Sequence, residues 1–267
     1  MPTRLKFKYI FMTFKHIISR DNSLFKQLKK LADSSRERRK LGETLLDGAH
    51  LVNSYLEVFG EPRLLIIAEG ESTAEVSHLI QQLADVPTVM FPTLMFQELA
   101  PVASPTGILA LVKTPSIAPP AAPNFVLMLE DIQDPGNLGA MLRTAAAAGV
   151  GAVYLSEGCT EAWSPKALRG GQGAQFVLPI VERADLVAFA HAFEGQVLAT
   201  TLRGDSIYAM DLTAPTAIVI GNEGNGLSAA MQKAASHHVT IPIHGVESLN
   251  AAAAASICLF ERVRQTL

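Results

Sequence analysis

The sequence is short of the residues that staple or metallate small domains. Only two cysteines, Cys159 and Cys258, occur among 267 residues. Both stand in apolar or glycine-rich surroundings without metal-ligand spacing. This argues against a disulfide framework and a zinc site, and it fits a reducing compartment, the cytoplasm being the expectation. The seven histidines are scattered, and the adjacent pair His237 and His238 has no companion at ligand spacing. No metal is therefore expected, and the pair reads as surface or strand edge. No stretch reaches the roughly 20 apolar residues of a membrane span. A Walker A loop and a G-x-S-x-G elbow are also missing. GVGAVY (149–154) resembles part of a dinucleotide fingerprint, but it sits between a helix end and a strand, the reverse of what phosphate binding needs.

Charged residues are sparse at 18%, beside 49% hydrophobic, so a sizeable core is available and global disorder is excluded. The length suits two domains of roughly 100–150 residues. The net charge of −3 conceals an imbalance: residues 1–63 carry 13 Lys/Arg against 7 Asp/Glu, and the remainder 9 against 18. A basic segment on an acidic chain points to a polyanionic partner, with a solvated basic helix as the alternative. The first 20 residues hold no acid. They are Lys-rich rather than Arg/Ser-rich and lack a cleavage pattern, so residues 1–11 read as an extension ahead of a start at Met12 rather than a transit peptide.

The apolar periodicity alternates between strand and helix along the whole chain. Residues 23–39 carry apolar positions at helical spacing, closed by Arg36, Arg38, Arg39 and Lys40. Strands and helices then alternate to residue 112, a compact α/β domain. KTPSIAPPAAPN (113–124) contains four prolines and no periodicity, so 113–123 is read as a linker. The pattern restarts at 124 and runs to 267. Strands are expected at FVLMLEDI, GAVYLSEG, FVLPIVE, QVLATTL, TAIVI and HVTIPI, with helices between them. This predicts a parallel, helix-covered sheet.

Three loops of this second domain carry polar residues beyond apolar strands, where ligands bind in open α/β sheets. The first runs from Glu130 through Asn137 into a helix bearing Arg143. Pro135 and Gly136 force a turn, and Asn137 is placed to cap the helix. Arg143 stands alone among Ala, Leu, Met and Thr, so it must face a cleft or form an ion pair, for example with Glu130 or Asp131. The second loop, Gly221 to Ser228, has three glycines in its first six residues and Glu223 as its single charge. It suits close approach to a ligand, or a tight turn with Ser228 or a neighbour capping the next helix. The third, Ile241 to Asn250, leads into the alanines 251–255. Ser248 and Asn250 suit helix capping, and the exposed N–H groups also suit an anion. The alanines offer a smooth surface for core packing or a subunit interface. Together the three loops have the geometry of one composite pocket.

DPGNLGAMLRTAAAAG, IVIGNEGNGLS and IPIHGVESLN resemble, in order, the three motifs of the SpoU (TrmH-like) family of RNA ribose 2′-O-methyltransferases. SPKALRGGQGAQFVLPI resembles that family's region between its first and second motifs. The resemblance covers 124–267. Residues 18–52 resemble, less closely, the substrate-binding domain of members acting on large ribosomal RNA. The resemblance implies a deep trefoil knot near the C-terminus, an exception to unknotted chains. It implies S-adenosylmethionine (AdoMet) as methyl donor, held by backbone around Gly221, Asn222, Gly224, Ile241 and Leu249. It implies a homodimer, structured RNA such as large-subunit rRNA as partner, and Arg143, Asn137, Glu223, Ser248 and Asn250 as the catalytic set. Methylation of transfer RNA and a catalytically silent RNA-binding or assembly factor are the alternatives. The chain departs from many relatives at Ala146, where they are acidic, at Ala252, where they have Ser, and between Gly245 and Ser248, where the motif is one residue shorter.

Overall fold

The computed structural model describes residues 14–70, 72–100, 102 and 105–267. The extension expected at 1–11 lies outside them. The chain divides into two compact units at Lys113/Thr114. No helix among the described residues is long and apolar enough to cross a membrane.

The first unit contains β1 (Lys15–His16), α1 (Ser23–Asp33), α2 (Ser35–Leu41), β2 (Glu43–Asp47), α3 (Ala49–Phe59), β3 (Leu64–Ala68), α4 (Ala74–Gln82), β4 (Thr88–Phe91), α5 (Thr93–Leu99) and β5 (Ile108–Lys113). Its sheet has the order β1-β4-β3-β5-β2. The periodic segment 23–39 forms two helices rather than one. Ser34 adopts an extended backbone that ends α1, and its Oγ accepts the Glu37 N–H to cap α2. The basic cluster also divides. Arg38 is buried and donates from Nη1 to the carbonyls of Leu31 and Ala32, closing the C-terminal turn of α1. Arg36, Arg39 and Lys40 face solvent. β5 continues through Lys113, which the sequence pattern assigns to the linker.

The second unit contains β6 (Phe125–Leu129), α6 (Pro135–Ala147), β7 (Ala152–Leu155), α7 (Pro165–Gly171), β8 (Ile180–Val181), α8 (Leu186–Ala192), β9 (Gln196–Ser206), β10 (Thr216–Ile220), α9 (Ala229–Ala234), β11 (His237–Thr240) and α10 (Ala251–Thr266). The order is β11-β9-β10-β6-β7-β8, and every pairing is parallel, as the alternating pattern predicts. β6 and β10 are buried throughout, as central strands of a covered sheet must be. One sheet face packs Val126, Met128, Ala217 and Val219 against Leu186 of α8 and Met231 of α9. α10 packs on α6 and β10. Two expected strands are shorter than their apolar runs. In FVLPIVE, Phe176 belongs to a 3-10 turn and only Ile180–Val181 pairs, because Pro179 cannot donate to a ladder. β11 ends at Thr240, two residues before Pro242.

Strand register sets the site. Leu129 pairs with Ile220, and the Glu130 N–H donates to the Ile220 carbonyl at 2.9 Å. The first and second loops therefore leave the sheet side by side. α6 is held by unusually close packing on α7. A Cβ on Gly139 would lie 2.5 Å from the Ala167 carbonyl oxygen and 2.8 Å from the Gly170 Cα. Gly139→Ala is expected to push the helices apart and cost about 1–3 kcal/mol. Urea unfolding of the purified variant measures this; unchanged stability would contradict the close approach.

Candidate active site

The first loop turns at Asp134, not at Asn137. Pro135 occupies the first helical position, and Asp134 Oδ1 accepts the N–H groups of Gly136 at 2.6 Å and Asn137 at 2.9 Å. The Asn137 N–H bond, with that of Gly136 and the nearby Lys166 ammonium, outweighs burial and lowers the Asp134 carboxyl below its ordinary range. Asn137 thus lies inside the first turn of α6, and its amide is not spent on the cap assigned to it from sequence. That amide reaches across to the other two loops instead.

Asn137 Nδ2 donates to Glu223 Oε1 at 3.1 Å, and Asn250 Nδ2 donates to Asn137 Oδ1 at 3.1 Å. The Gln133 and Asp134 N–H groups also donate to the Glu223 carboxylate, at 3.3 and 3.4 Å. Asn250 Oδ1 meanwhile caps α10 through the N–H groups of Ala252 and Ala253. One residue from each loop therefore joins a single chain of hydrogen bonds. Asn250 is the far end of a segment that leaves the sheet at β11, an edge strand separated from β10 by β9. The third loop has to cross back over the sheet to place it there.

The second loop is folded back on itself. Asn222 and Gly226 exchange backbone hydrogen bonds at 3.1 and 2.9 Å, and Asn222 Oδ1 accepts from the N–H groups of Gly224 and Asn225. Gly221 sits under this knuckle, where a Cβ would lie 2.4 Å from the Gly226 carbonyl carbon. Asn222 Nδ2 donates to the Asp131 carbonyl at 2.8 Å, a second tie between the loops. Ser228 caps α9, the use the sequence offers it.

Four predicted residues, Arg143, Ser248, Ile241 and Leu249, do not enter this network. Arg143 is exposed and makes no ion pair among the described residues. Its suggested partners are otherwise occupied: Glu130 accepts from Ser228, and Asp131 from Ser156. Six residues beyond Asn137, Arg143 lies about 9 Å along α6 and about 240° around it. Ser248 is exposed, and Ile241 and Leu249 are half-buried. Among the described residues no hydrogen bond engages 241–249, so the polar backbone of that loop is uncommitted.

Sequence reasoning missed Asp134, which sets the helix register, and the Glu130–Ser228 latch, which ties the first loop to the start of α9 at 2.8 and 2.7 Å. The combination of an acid immediately before a proline that opens a helix is the signal that could have found the first. Only contact across about a hundred residues reveals the second.

Partial burial pushes the Glu223 carboxyl up. The hydrogen bonds from the Asn137 amide, its own N–H, Gln133 and Asp134 outweigh this and hold it below its ordinary value. A carboxyl lowered on folding adds stability that is complete above its unfolded value, about 4.3, and is lost as pH falls through the folded one. Glu223→Gln places an amide against the donors of this network. Because Glu223 is exposed, the expected loss at neutral pH is below about 1 kcal/mol. The gap between variant and parent should close as pH falls below about 4. Denaturant titrations at neutral and acid pH check this, and a constant gap would contradict it.

The model of the SpoU rRNA Methylase family matches residues 124–260. The chain is 32% identical over 252 residues to the 23S rRNA (guanosine(2553)-2′-O)-methyltransferase RlmP of Bacillus subtilis, covering 92% of this chain and 98% of that one. It is 30% identical to the 23S rRNA (uridine(2479)-2′-O)-methyltransferase of Streptomyces viridochromogenes, covering 94% and 92%. Its fold is similar to the crystal structure of the SpoU methyltransferase AviRb from Streptomyces viridochromogenes in complex with AdoMet. The TM-score there is 0.78, at 27% identity, with 91% and 98% of the chains covered. The matched family, the likeness across both units and the three loops joined at Asn137 lead to one conclusion: this chain belongs to the SpoU rRNA methylase family.

Proposed function

We propose that this chain transfers the methyl group of AdoMet to a ribose 2′-hydroxyl of large-subunit ribosomal RNA. The observation that carries the reading is the chain Asn250–Asn137–Glu223, which gathers three family motifs at one end of the sheet. Around it, the uncommitted backbone of 241–249 and the folded knuckle over Gly221 fit a donor held chiefly by peptide groups. Gly221, Asn222, Gly224, Ile241 and Leu249 would hold it. AdoMet, when bound, supplies an electrophilic methyl sulfonium.

The residues have to align a weak nucleophile and manage one proton. Asn137, Glu223 and Asn250 fix the loops, and Ser248 lies on the third loop with its hydroxyl free to meet the ribose. Arg143 is a poor base because a guanidinium does not lose its proton near neutral pH. It stabilises the alkoxide that develops on O2′, and it binds an adjacent phosphate. Its outward position on α6 suits a homodimer in which Arg143 of one protomer completes the pocket of its partner. The trefoil knot near the C-terminus belongs to the same reading.

The first unit docks the RNA. Lys30, Arg36, Arg39 and Lys40 are exposed on α1 and α2, and they can meet phosphates of a folded RNA by charge and shape. We place the reaction in the cytoplasm.

Arg143→Ala is expected to lower methyl transfer to rRNA about 10²–10³-fold while AdoMet binding persists. Arg143→Lys restores little, since a point charge does not replace the planar fork. Transfer of label from AdoMet to rRNA, with calorimetry of AdoMet binding, measures both. Undiminished turnover in Arg143→Ala would remove Arg143 from the mechanism; AdoMet binding without any ribose methylation by the parent protein would overturn the proposed function.

A further inference from the structure

A cleft of about 370 Å³ opens between the first and second loops, beside the start of α9. Its walls include Glu130, Asp131 and Gln133 from one loop, and Asn222, Asn225 and Ser228 from the other. The volume lies near the lower end of small-molecule sites and suits one nucleoside-sized group. The cleft adjoins the reaction centre, because Gln133 lines it and also donates its N–H to Glu223.

Much of the hydrogen-bonding capacity of these walls is already committed; the exceptions beside Asp131 are Gln133 Oε1 and the Asn225 carboxamide, which can face the O6 acceptor of a base. Gln133 Nε2 is spent on the carbonyls of Asp131 and Gly158. Asn222 is spent on the Asp131 carbonyl and on the N–H groups of Gly224 and Asn225. Each carboxylate oxygen of Glu130 accepts from Ser228. Asp131 is different. Its N–H and its Oδ1 are both bound to Ser156 Oγ, at 2.9 and 2.7 Å, which fixes the residue, while Oδ2 has no intrachain partner among the described residues. Its backbone sits at φ 55°, a conformation that Asp and Asn tolerate better than other side chains. Among the described residues, no Lys or Arg lines the cleft. Two carboxylates without a cation repel phosphate and attract a neutral group rich in donors.

In RNA the donor-rich neutral groups are base edges, which proteins read after the base leaves its stack. Adenine and cytosine place one amino group beside a ring acceptor. Uracil flanks its single N–H with two carbonyls. Guanine alone sets two donors side by side, N1–H and the 2-amino group, and that pair matches Asp131 Oδ2 together with the second lone pair of Oδ1, whose first accepts from Ser156. We propose that the cleft receives the flipped-out base of the target nucleotide and selects guanine, with Asp131 as the specificity-determining residue and Glu130 as the latch that shapes the wall. This rests on the ribose methylation proposed above and adds the base to it. The two relatives named earlier carry different bases in their names, so the choice has to be read from this chain's own side chains.

The test uses the full-length protein, AdoMet and rRNA extracted from cells lacking the gene. Ribose-methylation mapping identifies the modified nucleotide, which is expected to be a guanosine. Hairpins carrying that nucleotide as guanosine or as inosine, which lacks the 2-amino group, are then compared. Inosine is expected to raise KM about ten- to a hundredfold. Asp131→Asn, which keeps the backbone and offers an amide in place of the second acceptor, should erase most of that difference while AdoMet binding, followed by calorimetry, persists. Methylation at any other base, or an undiminished guanosine-to-inosine ratio in Asp131→Asn, would overturn the cleft inference and leave ribose methylation standing. AdoMet binding with no methylation of any rRNA nucleotide would overturn both.

Discussion

The second unit depends on a carboxamide used at both ends. Asn137 donates a hydrogen bond from Nδ2 to Glu223 and accepts one from Asn250 at Oδ1. Carboxamide is the right chemistry for a middle link because it donates and accepts within one rigid plane. An aspartate there could not donate to Glu223, and a lysine could not accept from Asn250. The arrangement needs Asn137 free of capping duty, which Asp134 and Pro135 provide by opening the helix three residues earlier. It also needs α6 to stay close to α7, which the bare Gly139 allows. The local turn, the helix pairing and the joining of the loops are thus consequences of a few neighbouring residues.

Much of the fold is legible in the sequence because apolar period and loop composition are local signals. The alternation after Asn124 gives the parallel sheet, and glycine and asparagine after β6 and β10 mark loops that the strand register makes neighbours. Other features follow from competition the pattern does not weigh. Pro179 denies a ladder to an apolar run that reads as a strand. Arg38 looks like one member of a basic cluster, yet the open carbonyls at the end of α1 draw it inside. The contact between Asn250 and Asn137 spans 113 residues and depends on the third loop crossing the sheet, so no window of sequence contains it. Family resemblance points to both residues, but the bond between them belongs to the structure.

The same geometry separates tasks within the site. Glu223, Asn137 and Asn250 satisfy one another and are poor candidates for proton transfer. Their use is to hold the third loop to the first two, which the Asn222–Asp131 and Glu130–Ser228 bonds already tie to each other. Among the described residues, groups left with spare capacity include the Arg143 guanidinium on the outer side of α6, the backbone of 241–249, and the Asp131 carboxylate beside Ser156. On the proposed reading, arrangement and chemistry fall to different residues, so the site stays preorganised while its reacting groups remain open to substrate.

If the three-loop chain organises the donor site, its members must act as a unit. A double-mutant cycle on AdoMet binding, measured by calorimetry, tests this with Asn137→Ala and Asn250→Ser. Serine keeps a capping oxygen for α10 and deletes only the amide donor. The expected result is a coupling of about 0.5–3 kcal/mol, with the double variant binding little worse than either single one. Strictly additive losses would contradict the account.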